Sequence, residues 1–570
     1  MIDIHSRKNS FSVILPLREG VWPDRPGISI ILSVVFLCSR YREETQKKGA
    51  RMSFSTVLSA AIEGLKVEFV RVEADVSNGL PVFHMVGYLS SEVREAGERV
   101  RTAIKNSGFD YPAKRTVINL SPATLRKRGA SFDLPIAVSI LSSLGQILPG
   151  KMEEYLIIGE LSLDGQVRKV PGILPVVMEA LENGITCCIV PKENEAEGRL
   201  VSGMKVIGVE NLQEAVDCLT GKNICGLHGG AGIKETYQDL PSVLETKDES
   251  LPDFSQIKGQ ENVKRAAEIA VSGGHNILMI GPPGGGKSMT AKCIAGILPP
   301  LDLKESMEIT KVYSVLGLLK EESPLIQERP FREVHHTATR AALIGGGAVP
   351  RPGEISLAHG GVLFLDELPE FKKSVLEVLR QPLEERYIRI SRTYGNYTFP
   401  ADFMLVAAMN PCPCGCYPDL EKCTCTPAQI QMYLSRISRP FLDRIDLCVE
   451  APRIRYEELT GEGSSESSEE IRRRVCRARE IQKERYRGTS ITTNAMLGSD
   501  DLKRYCGLGQ VENKLMERAF TVMELTARAY HRVIKTARTI ADLDGEEHIR
   551  EVHLAEALGY RMVDRKYWRR

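Results

Sequence analysis

The chain has 570 residues, 42% of them hydrophobic and 26% charged; this is an ordinary composition for globular domains and too long for one core, so about three domains are expected. A net charge of +1 leaves no global field to draw it to nucleic acid, and any such contact has to come from local patches. Of its 14 cysteines, five fall between residues 412 and 425 and the others are scattered, which argues against a disulfide framework and for a reducing cytoplasm.

In chain order, residues 1–51 come first. Ile28 to Cys38 is an apolar run of eleven residues, short of the ~20 needed to span a bilayer, and no membrane partner is expected. A basic flank precedes it, as in a signal peptide, but no convincing small-residue cleavage site follows. Lys47-Lys48-Gly49-Ala50-Arg51 reads like a translated purine-rich ribosome-binding site ahead of Met52. The natural start is therefore expected at Met52, with residues 1–51 a non-native or disordered extension.

Residues 52–222 read as a compact α/β unit. Val67 to Asp75, Val117 to Ser121 and Ile185 to Pro191 have strand character. Ser91 to Ser107 is patterned as an amphipathic helix, and Phe132 to Leu144 as a buried one. Leu156 to Gly172 reads as a hairpin leading into a helix from Ile173 to Asn183. This segment resembles the proteolytic domain of the Lon family, with the ribosomal-S5-domain-2-like fold. On that resemblance Ser131 falls at the nucleophile and Val176 at the partner lysine. A serine needs a base to attack, so Ser131 is expected to start a helix, in a non-proteolytic relative used for assembly or partner contact.

Residues 223–252, rich in glycine and then acidic and polar, read as a linker. The ATPase core is expected over 253–452. Gly281-Pro282-Pro283-Gly284-Gly285-Gly286-Lys287-Ser288 is a phosphate-loop pattern. It stands between a buried strand, Ile277 to Ile280, and a helix expected over Met289 to Leu298. Glycine amides there wrap phosphate oxygens, Lys287 reaches the β- and γ-phosphates of ATP, and Ser288 offers a hydroxyl to Mg²⁺. Gly361 to Glu367 is an apolar strand ending in two acids: Asp366 suits Mg²⁺, and Glu367 suits orienting the attacking water. Phe403 to Asn410 is another buried strand, whose Asn410 suits contact with the γ-phosphate or that water. Arg444, in Phe441 to Asp446, would serve best as a finger into a neighbouring subunit's site. Between these motifs, the glycines 345–347 followed by prolines read as a loop. His335 and His336 raise the idea of a metal, but adjacent side chains diverge and no third ligand has the right spacing.

Arg386 to Pro400 reads as a β-hairpin in which Arg389, Arg392 and Tyr394 suit a nucleic acid backbone, or are simply solvated. Cys412, Cys414, Cys423 and Cys425 form two C-x-C pairs that could hold Zn²⁺, with Cys416 as a spare; redox chemistry or packing are the alternatives. Residues 453–570 read as helical, over Glu469 to Tyr486, Glu512 to Leu525 and Thr526 to Leu543, before a basic, aromatic tail from Arg565 to Arg570 with no assigned role.

The order and spacing of Gly281 to Ser288, Gly361 to Glu367, Asn410 and Arg444 resemble AAA+ ATPases. With Gly345 to Glu354 and Gly360 to Phe371, the chain from Met52 to about Tyr560 resembles the YifB/ComM family of magnesium-chelatase-like AAA+ proteins. The resemblance implies an α/β multidomain chain: a Lon-protease-like domain, an AAA+ P-loop core and a C-terminal helical lid. It implies phosphate contacts from Gly281 through Met289 and an adenine site beside Asp253 to Gln260. It places Arg386 to Pro400 at the pre-sensor hairpin and gives the lid an arginine on the nucleotide, with Arg528 favoured by position and Arg532 and Arg538 as alternatives. Its expected activity is that of a DNA-dependent ATPase, a homo-oligomeric ring, hexameric in the family, moving DNA during branch migration in natural transformation. A competing expectation is the ATPase subunit of a metal chelatase, although no metal-binding integrin-like D-x-S-x-S run is present. An ATP-dependent protease is disfavoured by Val176.

Overall fold

The computed structural model describes residues 54–147, 152, 154–221, 251–347, 350–392, 395–454, 456 and 466–568. The expectations for residues 1–51, for most of the 223–252 linker and for Tyr394 lie outside them.

The chain begins with a long antiparallel hairpin, Phe54–Glu63 against Lys66–Ser77. In the second strand Val70, Val72, Ala74 and Val76 are buried and alternate with charged or polar residues, the period-two pattern of a half-buried strand. The first strand has a weaker signal, because its buried face mixes Ser55 and Ser59 with Val57. From edge to edge the seven-stranded sheet runs Phe83–Val86, Arg115–Ser121, Lys66–Ser77, Phe54–Glu63, Tyr155–Ile157, Cys187–Pro191 and Lys205–Val209. Helix Asp133–Ser143 packs on it with every residue buried. At its start Asp133 takes a bidentate ion pair from Arg99, at 2.8 and 3.0 Å.

A second sheet of five strands, all parallel, runs Phe331–Val334, Val362–Leu365, Met404–Met409, Ile277–Ile280 and Leu447–Glu450. Its three central strands are buried at every residue, as expected of strands covered on both faces. Their carboxyl ends therefore meet along one edge, carrying Gly281, Asp366 and Asn410. Two short hairpins flank this sheet. Tyr387–Arg392 pairs with Gly395–Pro400, in full register from Tyr387–Pro400 to Arg392–Gly395. Gly345–Gly346 pairs with Arg351–Pro352, so two of the three glycines expected to be loop are strand. Gly345 has φ +90° and a Cβ there would lie 2.0 Å from the Arg351 carbonyl, which accounts for the residue type.

The C-terminal region is helical: Ser468–Arg485, Gln510–Val522, Ala527–Leu543 and Glu551–Trp568. Val475, Val533 and Ala537 share one core with Ile277 and Val406 of the parallel sheet. Arg265 meets Glu556 at 3.0 Å, and Gln482 donates to the Ser272 carbonyl. Arg565 to Trp568 continue the last helix, and Lys566 Nζ and Tyr567 Oη both reach Glu450 of the edge strand at 2.7 Å. Residues 54–221 meet the part that carries the parallel sheet through Gly172 N to Ser314 O at 2.9 Å and Ser314 Oγ to Glu197 at 2.6 Å. Among the described residues no helix is long and apolar enough to cross a membrane.

Candidate active site

The phosphate loop joins strand Ile277–Ile280 to helix Lys287–Gly296. The helix starts two residues before its expected first residue, Met289. This puts Lys287 and Ser288 in its first turn, where free amides and the dipole face an anion. Gly284 and Gly286 have φ +79° and +70°. A Cβ at Gly281 would lie 2.0 Å from the Ala451 carbonyl, so backbone packing demands glycine there. Gln260 Nε2 pins the loop by donating to the Gly285 carbonyl at 2.8 Å and the Pro452 carbonyl at 3.0 Å.

A cavity of about 420 Å³ is lined by Pro283 through Met289, Asp366, Glu367, Met409 and Asn410. Lys287 Nζ donates to the carbonyls of Gly281 at 2.8 Å and Pro282 at 2.9 Å and to Asn410 Oδ1 at 3.1 Å. Burial lowers the pKa of its ammonium, and the charges of Asp366 and Glu367 oppose that. Ser288 Oγ donates to Asp366 Oδ2 at 2.6 Å. A hydroxyl and a carboxylate oxygen thus converge beside the loop amides, the donor set that Mg²⁺ takes with nucleotide phosphates. Asp366 Oδ1 is occupied by the Glu367 amide at 2.8 Å.

Glu367 has φ +50°, a conformation a non-glycine residue holds only when its surroundings impose it. The strand end thereby turns its carboxylate outward, with Oε2 at 3.3 Å from His336 Nδ1. The expectation that His335 and His336 diverge is corrected: their rings lie 4.1 Å apart at a 34° tilt. His336 serves Glu367, a contact no local pattern signals, because it depends on the parallel pairing of Phe331–Val334 with Val362–Leu365.

Arg444 and Arg528 do not line this cavity. The Arg444 guanidinium is 8% exposed as a residue; it donates to the Arg380 carbonyl and to Pro440, and pairs with Glu384 at 2.7 Å. Arg528 approaches the same Glu384 carboxylate at 3.9 Å, with 60% of its side chain exposed. The two other lid candidates are tied into the fold. Arg538 is buried on Asp542 and the Glu546 and Glu547 carbonyls. Arg532 holds the Ile445 carbonyl and Asp446. Burial acts to raise the Asp446 pKa, but its contact with His275, the Arg532 charge and the Asn276 amide hold it well below the usual carboxylate range.

On the hairpin, Ile388, Ile390, Tyr397 and Phe399 are buried, while Arg389 and Arg392 face outward. Arg389 lies over the Tyr387 ring at 5.4 Å. A Cβ at Gly346 would lie 3.9 Å from Arg392 Nη2, so the two hairpins adjoin. The second adds exposed Arg351, and the helix Arg340–Ile344 that leads into it adds exposed Arg340; no sequence pattern singled these out. None of these four arginines has a carboxylate partner among the described residues. The Cys412, Cys414, Cys423 and Cys425 thiols lie within 4.8 Å of one another. In the N-terminal part, Val176 is wholly buried in an apolar cluster and supplies Ser131 with no base.

Three family profiles match in chain order: "Subunit ChlI of Mg-chelatase" over residues 72–194, "Magnesium chelatase, subunit ChlI" over 253–459, and "Magnesium chelatase, subunit ChlI C-terminal" over 465–561. Competence protein ComM of Haemophilus influenzae is 42% identical over 525 residues, 90% of this chain and 98% of that protein. YifB of Escherichia coli is 43% identical over 524 residues, with the same coverage. Lon protease 2 of Bacillus subtilis is 26% identical over 185 residues, 28% of this chain and 33% of that protein. A mixed α/β chain with a parallel sheet, a phosphate loop at its carboxyl edge and a helical C-terminal region, alike over nearly its whole length to ComM and YifB, belongs to the YifB/ComM family of magnesium-chelatase-like AAA+ proteins.

Proposed function

We propose that the chain hydrolyses ATP as a ring of identical subunits in the cytoplasm and uses the energy to move DNA. The observation that carries ATP hydrolysis is the convergence of Lys287, Ser288, Asp366, Glu367 and Asn410 on one cavity at the carboxyl edge of a parallel sheet. Phosphates lie along the loop from Gly281 through Met289, on those of its residues that carry an N–H (Pro282 and Pro283 do not), with Lys287 as their counter-charge. Ser288 and Asp366 would hold Mg²⁺, which would supply positive charge against that developing on the phosphate oxygens. Glu367, steadied by His336, orients the attacking water, and Asn410 positions the γ-phosphate.

Arg444 and Arg528 act in trans. Their shared carboxylate, Glu384, keeps two guanidinium groups together away from their own cavity, as suits an interface that completes a neighbour's site; the family precedent is a hexamer. Such fingers are worth ~10³–10⁵ in rate. Within this reading residues 52–222 are a Lon-like, non-proteolytic domain, 253–452 the ATPase core and 453–570 the lid. Arg351, Arg389 and Arg392, exposed on adjoining hairpins, and Arg340 on the helix leading into one of them, offer phosphate contacts to DNA, and the relative named as a competence protein fits handling of incoming DNA.

The chelatase name of the matched profiles favours a second reading, an ATPase subunit that remodels a metal-inserting partner. ATPase rate with and without forked DNA separates the two. Stimulation lost in Arg389→Ala/Arg392→Ala supports the motor. A rate indifferent to every DNA tested rejects it.

A further inference from the structure

The strand Met404–Met409 delivers Asn410 to the phosphate pocket, and regular structure resumes only at helix Pro427–Leu434. The intervening residues 410–426 carry no helix or strand, although their first member has to be held against Lys287 to within a hydrogen bond. A loop of this length in a compact domain needs its own fastening.

Its thiols are arranged for one. Cys412 Sγ lies 3.3 Å from Cys414 Sγ and 3.8 Å from Cys423 Sγ, and Cys414 and Cys423 are 3.6 Å apart. With Cys425 they form the one group of three or more potential metal ligands among the described residues, all within 4.8 Å of one another. Four thiolates around a tetrahedral zinc at ~2.3 Å stand about 3.8 Å from each other, whereas a disulfide requires about 2.05 Å. Cys416, the fifth thiol, points to the Cys414 carbonyl at 3.7 Å and stays outside the group. The Tyr417 amide donates to Cys412 Sγ at 3.4 Å, the kind of outer contact that steadies a thiolate ligand. The C-x-C spacing works because Gly415, at φ +77°, donates its amide to the Cys412 carbonyl at 3.0 Å and folds the strand end back on itself.

That turn also touches the nucleotide site. A Cβ at Gly415 would meet Pro283 Cδ at 2.4 Å, so the cysteine loop, whose first residue is Asn410, abuts the phosphate loop at Gly415. We propose that Cys412, Cys414, Cys423 and Cys425 bind one structural zinc ion, which fastens the Asn410 loop against Pro283 of the phosphate loop. The zinc site stands on the sulfur geometry alone; the fastening rests on the ATPase reading.

The test uses the full chain purified without an affinity tag that binds metal. Atomic emission is expected to find about one zinc per chain, retained in Cys416→Ser and lost in Cys423→Ser and in Cys425→Ser. Chelator-stripped protein, replenished with Mg²⁺, is expected to bind a fluorescent ATP analogue within a few-fold of the untreated chain. Its turnover falls at least tenfold and returns with added Zn²⁺. Less than a tenth of a zinc per chain, equal zinc loss in Cys416→Ser, or a Cys412–Cys423 disulfide by mass spectrometry under non-reducing conditions overturns the site. Zinc present with turnover unchanged on stripping overturns the fastening. Zinc present in a chain without any ATPase activity leaves the site standing and rejects the ATPase reading instead.

Discussion

Replacing Lys287 by alanine removes the only side-chain cation that, among the described residues, lines the cavity at the phosphate loop. Before nucleotide arrives, its ammonium already makes three hydrogen bonds, to Gly281, Pro282 and Asn410. Phosphate oxygens must therefore compete with those partners. Two charge-assisted bonds to phosphate are worth ~1.5–3 kcal/mol each, and the exchanged bonds offset part of that. A net loss of about 3 kcal/mol follows, which is roughly a hundredfold in affinity. The alanine variant also removes the ammonium charge that faces Asp366 and Glu367, which pushes the loss upward. Titration with a fluorescent ATP analogue in the presence of Mg²⁺ measures it, with thermal melting as the check that the fold survives. A dissociation constant within threefold of the parent, in a folded variant, refutes the assignment of the cavity to phosphate.

Glu367→Gln is expected to keep nucleotide affinity and lose at least a hundredfold in turnover, read in a phosphate-release assay; normal turnover rejects its role. His336→Ala removes the 3.3 Å contact to the Glu367 carboxylate and is expected to lower kcat about tenfold, below the ~10²–10⁴ of a positioned acid or base because His336 acts only through Glu367, with nucleotide affinity unchanged; an unaltered kcat rejects the positioning. Asp446 is ionised far more readily in the fold than in the unfolded chain, so its stabilisation is present above the unfolded carboxylate pKa of about 3.9 and is lost as pH falls through the depressed folded value. Asp446→Asn should therefore melt lower at neutral pH, with the difference narrowing below about pH 4; a pH-independent difference in melts contradicts this.

The parts of this site legible in the sequence are those where chemistry and chain direction coincide. Gly281 to Ser288, Asp366 and Asn410 each follow an apolar run, and burial of that run puts their side chains at one sheet edge. Other parts depend on distant packing. His336 reaches Glu367 only because the strands Phe331–Val334 and Val362–Leu365 lie parallel and adjacent and Glu367 takes a positive φ. Arg532 and Arg538 share the helical spacing of Arg528, but burial turns them to Asp446 and Asp542, which periodicity cannot tell apart. Strand Phe54–Glu63 hides behind Ser55 and Ser59, and the glycines 345 and 346 pair as strand because their carbonyls and amides meet Arg351 and Pro352, not because of any propensity.

The central claim is that each active site is shared between two copies of the chain. Mixing Lys287→Ala with Arg444→Ala, each inactive alone, tests it directly. The account predicts that ATP hydrolysis reappears in the mixture, because one subunit supplies the phosphate loop and its neighbour the arginine. A mixture as inactive as its components, while both variants still assemble with the parent chain, contradicts it.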